Sequence, residues 1–407
     1  MSTNSPESPT DAQTTDQITI SDVERIVREE FDASTWEATE AVLASHVTLH
    51  LAGKPGGVGL VLVGPPSSGK TTVLEFFEGL DTVYRSDDVT PASFVSHDAS
   101  KSEEQLGQID LLPKVARKSL LSRDMATWFA GEQEDIYKRM SIMAHLLDGN
   151  GYTRDTGSHG ERGYTGREYR FNFIGATTPL PPSAWQVMGN VGNRLLFHEK
   201  RGTSDMSQIV SDVVCGSEYP EKVARCRDAV QTFLTSLWND CGGFEGIEWA
   251  DDPEAEVGPI LSYLTELVCR GRAPIIEGRV QPEGGHRIAG SLYDVARGHA
   301  ILHGRRRVTV EDMQVCARIA LSTIPEKRRP LVRALLDPAN GGVLTTRDVC
   351  DLTGVSKPTA GKRMEEISIL RFGSLGEVDG DGRNPKALTL RREYVWPDSL
   401  RFPWVES

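Results

Sequence analysis

The chain has 407 residues, 38% of them hydrophobic and 25% charged, with a formal charge of −13 at pH 7. That length holds two or three domains with sizeable cores. The acidity excludes bulk attraction to nucleic acid, so any DNA contact has to come from local basic patches. No apolar run approaches the roughly 18 residues that span a bilayer, and the start is polar and acidic, so the expectation is a cytoplasmic protein without membrane contact or secretory leader. The six cysteines are scattered with no Cys-x-x-Cys pair, which reads as reduced thiols rather than a disulfide framework or a zinc site.

Residues 1–17 are Ser/Thr/Asp/Pro-rich and are expected to be disordered. Over 21–52, Val23, Ile26, Val27, Phe31, Val42, Leu43, Val47 and Leu51 recur with helical spacing, with Ser21 as the expected N-cap. Lys54-Pro55-Gly56-Gly57 breaks that pattern. From there to about residue 200, apolar runs (GLVLV at 59–63, SLL at 119–121, FNFIGA at 171–176, LLFH at 195–198) alternate with helical segments, the pattern of a parallel sheet covered by helices. Helical periodicity then dominates over 219–238, 257–268, 285–302, 310–321 and 326–336. Beyond 343, two short helical segments precede a Gly/Asp-rich hairpin.

Gly64-Pro65-Pro66-Ser67-Ser68-Gly69-Lys70-Thr71 fits G-x-x-x-x-G-K-[ST], between an apolar strand and a helix that starts near Thr72. In such a loop, backbone amides converge on phosphate oxygens at the positive end of the helix. Lys70 supplies charge to the β- and γ-phosphates, and the Thr71 hydroxyl is a ligand for Mg²⁺. The expected ligands are therefore ATP and Mg²⁺. A phosphate loop also needs a carboxylate at the end of a neighbouring strand. Asp124, closing SLLSRD, is the candidate for that metal site; the alternative is a loop aspartate on the surface. The next residue, where a hydrolytic glutamate would be expected, is Met125, leaving Glu132 or Glu134 to compensate.

The order of these elements resembles AAA+ ATPases, especially the DNA-acting branch with replication initiators and minichromosome-maintenance helicases. The segment LLPKVARKSLLSRD is similar to ATPases carried by phages and plasmids. The resemblance runs over about 40–400, and only the phosphate loop is specific by itself. It implies that Thr178, in Phe173-Ile174-Gly175-Ala176-Thr177-Thr178-Pro179, senses the γ-phosphate. It implies that Arg194, in Gly192-Asn193-Arg194-Leu195-Leu196-Phe197, is an arginine finger for a neighbouring subunit. Gly304-Arg305-Arg306-Arg307-Val308-Thr309-Val310-Glu311-Asp312 resembles a lid phrase of the family, which makes Arg287 a second sensor reaching the γ-phosphate when the lid closes. The plainer alternatives are a strand cap at Thr178 and solvated arginines at 194 and 287.

Two segments point toward DNA. Residues 343–370 read as a helix-turn-helix inside a winged helix, with Ser356 capping the second helix and Lys357, Thr359, Lys362 and Arg363 near its exposed start. Arg383 and Lys386 sit on the following hairpin, where phosphate contact is usual. Small winged helices also bind proteins, and this region carries ten Lys/Arg against nine Asp/Glu over 343–401, a modest local relief. In 149–170, Tyr152, Tyr164 and Tyr169 interleave with Arg154, Arg162, Arg167 and Arg170, side chains that can stack on bases and pair with phosphates. The resemblance places a pore hairpin here; a mobile surface loop is the alternative.

The resulting expectation is an α/β fold: a P-loop NTPase parallel sheet with a helical lid and a C-terminal winged helix-turn-helix domain. It divides into a disordered 1–20, a nucleotide-binding 21–205, a lid 206–340 and a DNA-binding 341–407. The expected function is ATP-dependent work on DNA by a homo-oligomeric ATPase. A DNA-binding regulator that uses ATP as a conformational ligand, or a protein-remodelling ATPase, are the rivals.

Overall fold

The computed structural model describes residues 18–403 apart from 97, 99, 157–159, 192–193, 203–209, 211–213, 215–217, 250–251 and 379–384. The expected disordered tail at 1–17 and the wing residue Arg383 lie outside the described residues.

Helices α1 (Ile20–Glu30) and α2 (Ala33–His46) open the fold. Thr19, not Ser21, caps α1: its hydroxyl accepts from Asp22 N while the Asp22 carboxylate accepts from Thr19 N at 3.0 Å. The carboxylate of Asp32 caps α2 through Thr35 N.

The central strand β1 (Gly59–Val63) is buried along its whole length. Its unbroken apolar run follows from that, because a central parallel strand meets helices on both faces. Leu60 and Leu62 face one apolar core, and Val61 and Val63 the other. Helix α3 (Lys70–Glu75) follows β1, and then come β2 (Val83–Arg85), α4 (Pro91–Phe94), α5 (Glu103–Ile109), α6 (Leu111–Val115) and β3 (Ser119–Ser122). Helix α7 (Gln133–Leu147), the β4 (Gly151–Thr156)–β5 (Gly160–Thr165) hairpin, β6 (Asn172–Thr177), α8 (Pro182–Val191) and β7 (Leu195–Glu199) complete this part. The five-stranded sheet is parallel, in the order β2–β3–β6–β1–β7. It is the mixed α/β architecture expected of a P-loop NTPase. Strand β6 lies between β1 and β3, so the chain ends that follow all three strands share one edge.

The helical segment comprises α9 (Tyr219–Asp240), α10 (Val257–Gly271), a short β8 (Ile275–Ile276)–β9 (Arg279–Val280) pair, α11 (His286–Leu302), α12 (Met313–Ser322) and α13 (Arg329–Leu336). It shares one apolar core with α1, α2, α3 and a face of the sheet. Helix α11 packs so tightly on α2 that a Cβ on Gly298 would stand 1.9 Å from Ala44 O. The C-terminal part is a three-stranded antiparallel sheet, β10 (Val343–Thr345), β12 (Lys386–Leu390) and β11 (Gly373–Glu377) in that order, against α14 (Thr346–Thr353) and α15 (Lys357–Ile369). Tyr394 ties it to α10, its hydroxyl donating to Glu266 at 2.8 Å. Among the described residues, no helix is long and apolar enough to cross a membrane.

Candidate nucleotide site

The loop between β1 and α3 turns back on itself with Ser67 at φ 60° and Gly69 at φ 84°, the left-handed region that a glycine enters without penalty. The Lys70 ammonium is folded into the loop. It donates to Gly64 O at 2.9 Å, Pro65 O at 2.6 Å and Ser68 Oγ at 3.2 Å. All three acceptors are neutral, so this cation is held without a directly bonded counter-charge. Burial lowers its pKa, the nearby Lys200 ammonium lowers it further, and Asp124 pulls the other way. Next to the loop is a cavity of about 390 Å³, lined by Phe31, Asp32, Thr35, residues 67–72, Lys200 and Tyr219. Thr71 is exposed there, whereas the Thr72 hydroxyl is engaged with Tyr219 Oη. A buried, neutrally coordinated cation, an exposed threonine hydroxyl and a nearby carboxylate form a donor set that fits a magnesium–polyphosphate group.

Asp124 follows β3 at the same sheet edge, and its Oδ1 accepts from Ala126 N at 2.8 Å. Thr178 follows β6 and is exposed there, one residue past Thr177, whose carbonyl accepts from Gly64 N at 3.3 Å. The sheet order therefore brings Lys70, Thr71, Asp124 and Thr178 to one edge. Met125 is fully buried: a Cβ on Gly175 would be 2.4 Å from its Sδ. Glu132 and Glu134 are exposed and do not line the cavity, and Glu134 pairs with Lys138 at 2.8 Å.

The two arginines lie elsewhere. Arg194 precedes β7, whose first residue pairs in register with Gly59, the first residue of β1. It therefore sits at the far edge of the sheet, roughly 15 Å of strand away from its own phosphate loop. There its Nε donates to Asp148 Oδ1 at 2.7 Å. Arg287 is exposed in the first turn of α11. Further along that helix, Asp294 pairs with Lys54 at 3.1 Å, and Lys54 precedes β1 on the edge away from the phosphate loop. Arg287 is about 10 Å of helix beyond that pair, while the other end of α11 approaches Glu40 through His299. Closure of the lid over the chain's own γ-phosphate does not follow from this placement.

The 149–170 hairpin forms, with Tyr152 opposite Tyr164 and Arg154 opposite Arg162. Most of its arginines have hydrogen-bond partners within the protein. Arg162 and the Tyr164 hydroxyl donate to the fully buried Asp110 at 3.0 and 2.8 Å. Arg154 donates to Val95 O at 3.3 Å. Arg170 is buried, donating to Leu49 O and Leu51 O at 3.1 Å each. Arg167 stays exposed.

On α15, Lys357, Thr359 and Lys362 are exposed and Arg363 is half-buried. Lys362 and Arg363 also border a cavity of about 930 Å³ shared with Trp185, Arg272 and Arg328. Lys386 on β12 pairs with Glu365 at 3.0 Å.

Lys200, Asp32 and Tyr219 line the site although no local motif marks them in the sequence, and Phe31 stands out there only as part of a helical apolar pattern. Lys200 reaches the site through the parallel register of β7 with β1, where its N–H donates to Val63 O at 2.8 Å.

Neither a family model nor a curated protein matches the sequence. Among solved structures, the chain is similar to a full-length MCM homolog from Methanopyrus kandleri, with 12% identity and a TM-score of 0.43. The match covers 78% of this chain and 63% of that one, an overlap too shallow to assign a fold family or an activity.

Proposed function

We propose that the protein is an AAA+-type ATPase that works on DNA as an oligomer, with a winged helix formed by α13–α15 and β10–β12. The observation that carries this reading is the Lys70 ammonium, folded among neutral loop acceptors beside a cavity of about 390 Å³ with Asp124 at the same edge. In this reading Lys70 and the amides of 64–72 hold the polyphosphate, Thr71 and Asp124 hold Mg²⁺, and Thr178 orients water toward the γ-phosphate. Arg194 and Arg287 serve a neighbouring subunit's nucleotide, which accords with their distance from the chain's own loop. Lys357, Thr359, Lys362 and Arg363 lead into a DNA groove, with Lys386 and Arg383 on the wing.

A second reading is favoured by Met125, which is buried where a hydrolytic glutamate would stand, with Asp32 the acidic residue lining the cavity among the described residues. Here the protein binds DNA under the control of bound ATP and turns it over slowly. Titration of MgATP followed by turnover assays with and without DNA tests both. Wild type should bind MgATP, and Lys70→Ala should lose at least about tenfold in affinity, the scale of a charge-assisted contact. Absence of any nucleotide affinity in wild type sinks both readings; affinity without turnover, but with ATP-dependent footprinting on DNA, selects the second.

A further inference from the structure

Lys200 is the first residue after β7, and its side chain is only 2% exposed. Its stem lies across the phosphate loop: a Cβ on Gly69 would be 3.6 Å from its Cε and 4.0 Å from its Nζ. The ammonium has three donors to place. One goes to Arg201 O at 2.9 Å, but Ser34 Oγ is 3.4 Å away and the Asp32 carboxylate 3.6 Å. The carboxylate is divided further, since Asp32 Oδ1 also accepts from Thr35 N and Thr35 Oγ1, at 2.5 and 2.8 Å. Lys200 thus lines the same cavity as Lys70 and Asp32: two buried ammonium groups, with an aspartate carboxylate 3.6 Å from one of them. Two like charges in a poorly hydrated site are unfavourable unless an anion joins them.

We infer that Lys200 is a second phosphate-binding cation of the nucleotide site, held by Asp32 until a polyphosphate takes its place. The inference rests on the reading of the cavity as a nucleotide site. It assigns Lys200 a role in binding the nucleotide and Asp32 the role of an internal competitor for the same ammonium. Burial depresses the Lys200 pKa and Asp32 opposes that; a multiply charged phosphate chain would oppose it more strongly. A purely structural lysine would behave differently. Its pairing with Asp32 would then be the purpose of the contact, and loss of either partner would loosen the site.

The two accounts separate with the full-length protein and titration of MgATP, MgADP and adenosine. Lys200→Met should weaken ATP and ADP by about tenfold or more while leaving adenosine within about twofold. Asp32→Asn keeps the α2 cap, since asparagine caps as well as aspartate, and removes the competing charge; it should tighten ATP by about threefold or more. Should Lys200→Met fail to fold, the Asp32→Asn titration decides alone. Unchanged or weaker ATP binding in Asp32→Asn, or unchanged ATP binding in a folded Lys200→Met, overturns the inference while wild-type affinity keeps the nucleotide reading. Wild type that binds no nucleotide overturns both.

Discussion

Arg194 pairs with Asp148, the arginine side chain 10% and the carboxylate 38% exposed, so the pair is open to solvent on its carboxylate side. If Arg194 serves a neighbouring subunit's nucleotide, Arg194→Ala should still fold but lose ATP turnover. Mixing it with Lys70→Ala should restore part of that turnover, because each chain then supplies what the other lacks. Turnover measured across mixing ratios checks this: a strictly additive response would show that Arg194 acts in its own chain or not at all. Met125 makes the opposite point. Its burial against Gly175 is a packing role.

The β4–β5 hairpin and the α15 helix were the two elements expected to meet DNA, and they now differ. The hairpin is locked along β5 by Asp110, which is fully buried and takes hydrogen bonds from Ser96 N, Arg162 and Tyr164. Asp110→Ala leaves Arg162 without its carboxylate and should cost about 3 kcal/mol, read as a lower urea midpoint at unchanged m-value. Helix α15 instead presents Lys357 and Lys362 to solvent. If each meets a phosphate, replacing either with alanine should flatten the slope of log affinity against log salt by about 0.9. The check is a salt series with duplex DNA; an unchanged slope removes that lysine from the interface. The β2 strand was not anticipated, since two half-buried residues and an exposed arginine at a sheet edge carry too little apolar pattern to stand out. The longer strands and all the helices of the 219–336 region were legible, because period and length mark them.

At the scale of the whole molecule, a charged cluster joins α11 and α12 to α2. His299 contacts Asp312 at 2.7 Å and Glu40 at 3.3 Å, Arg305 donates to Asp312, and Arg318 to Glu40. Burial alone would lower the His299 pKa, but its bonds to Asp312 and Glu40 outweigh that and raise it to about 9. Burial likewise works against the ionised Glu40 and Asp312, yet Arg318 and His299 on the first, and His299 and Arg305 on the second, hold both down to about 2. The histidine's contribution is fully present below its ordinary value near 6.5 and is lost as pH rises through about 9. The carboxylates contribute above their ordinary range and lose that contribution as pH falls toward about 2. Urea midpoints should accordingly decline between about pH 6.5 and 9, and His299→Gln should flatten that decline. An equal decline in the variant would place its cause elsewhere.

The phosphate loop, the strand feeding it and the alternation of strands with helices were determined by the sequence itself. Each rests on local physics: glycines that admit φ above zero, apolar runs of strand length, and 3.6-residue spacing. Tertiary structure alone decided that Lys200 lines the same cavity as Lys70, that Arg194 lies at the far edge of the sheet, and that Asp110 claims the hairpin's arginine. In each case the deciding partner lies tens to more than a hundred residues away along the chain. Charge–charge and hydrogen-bond energies depend on distance in space, and only the parallel register and the helical crossovers determine which groups come within reach.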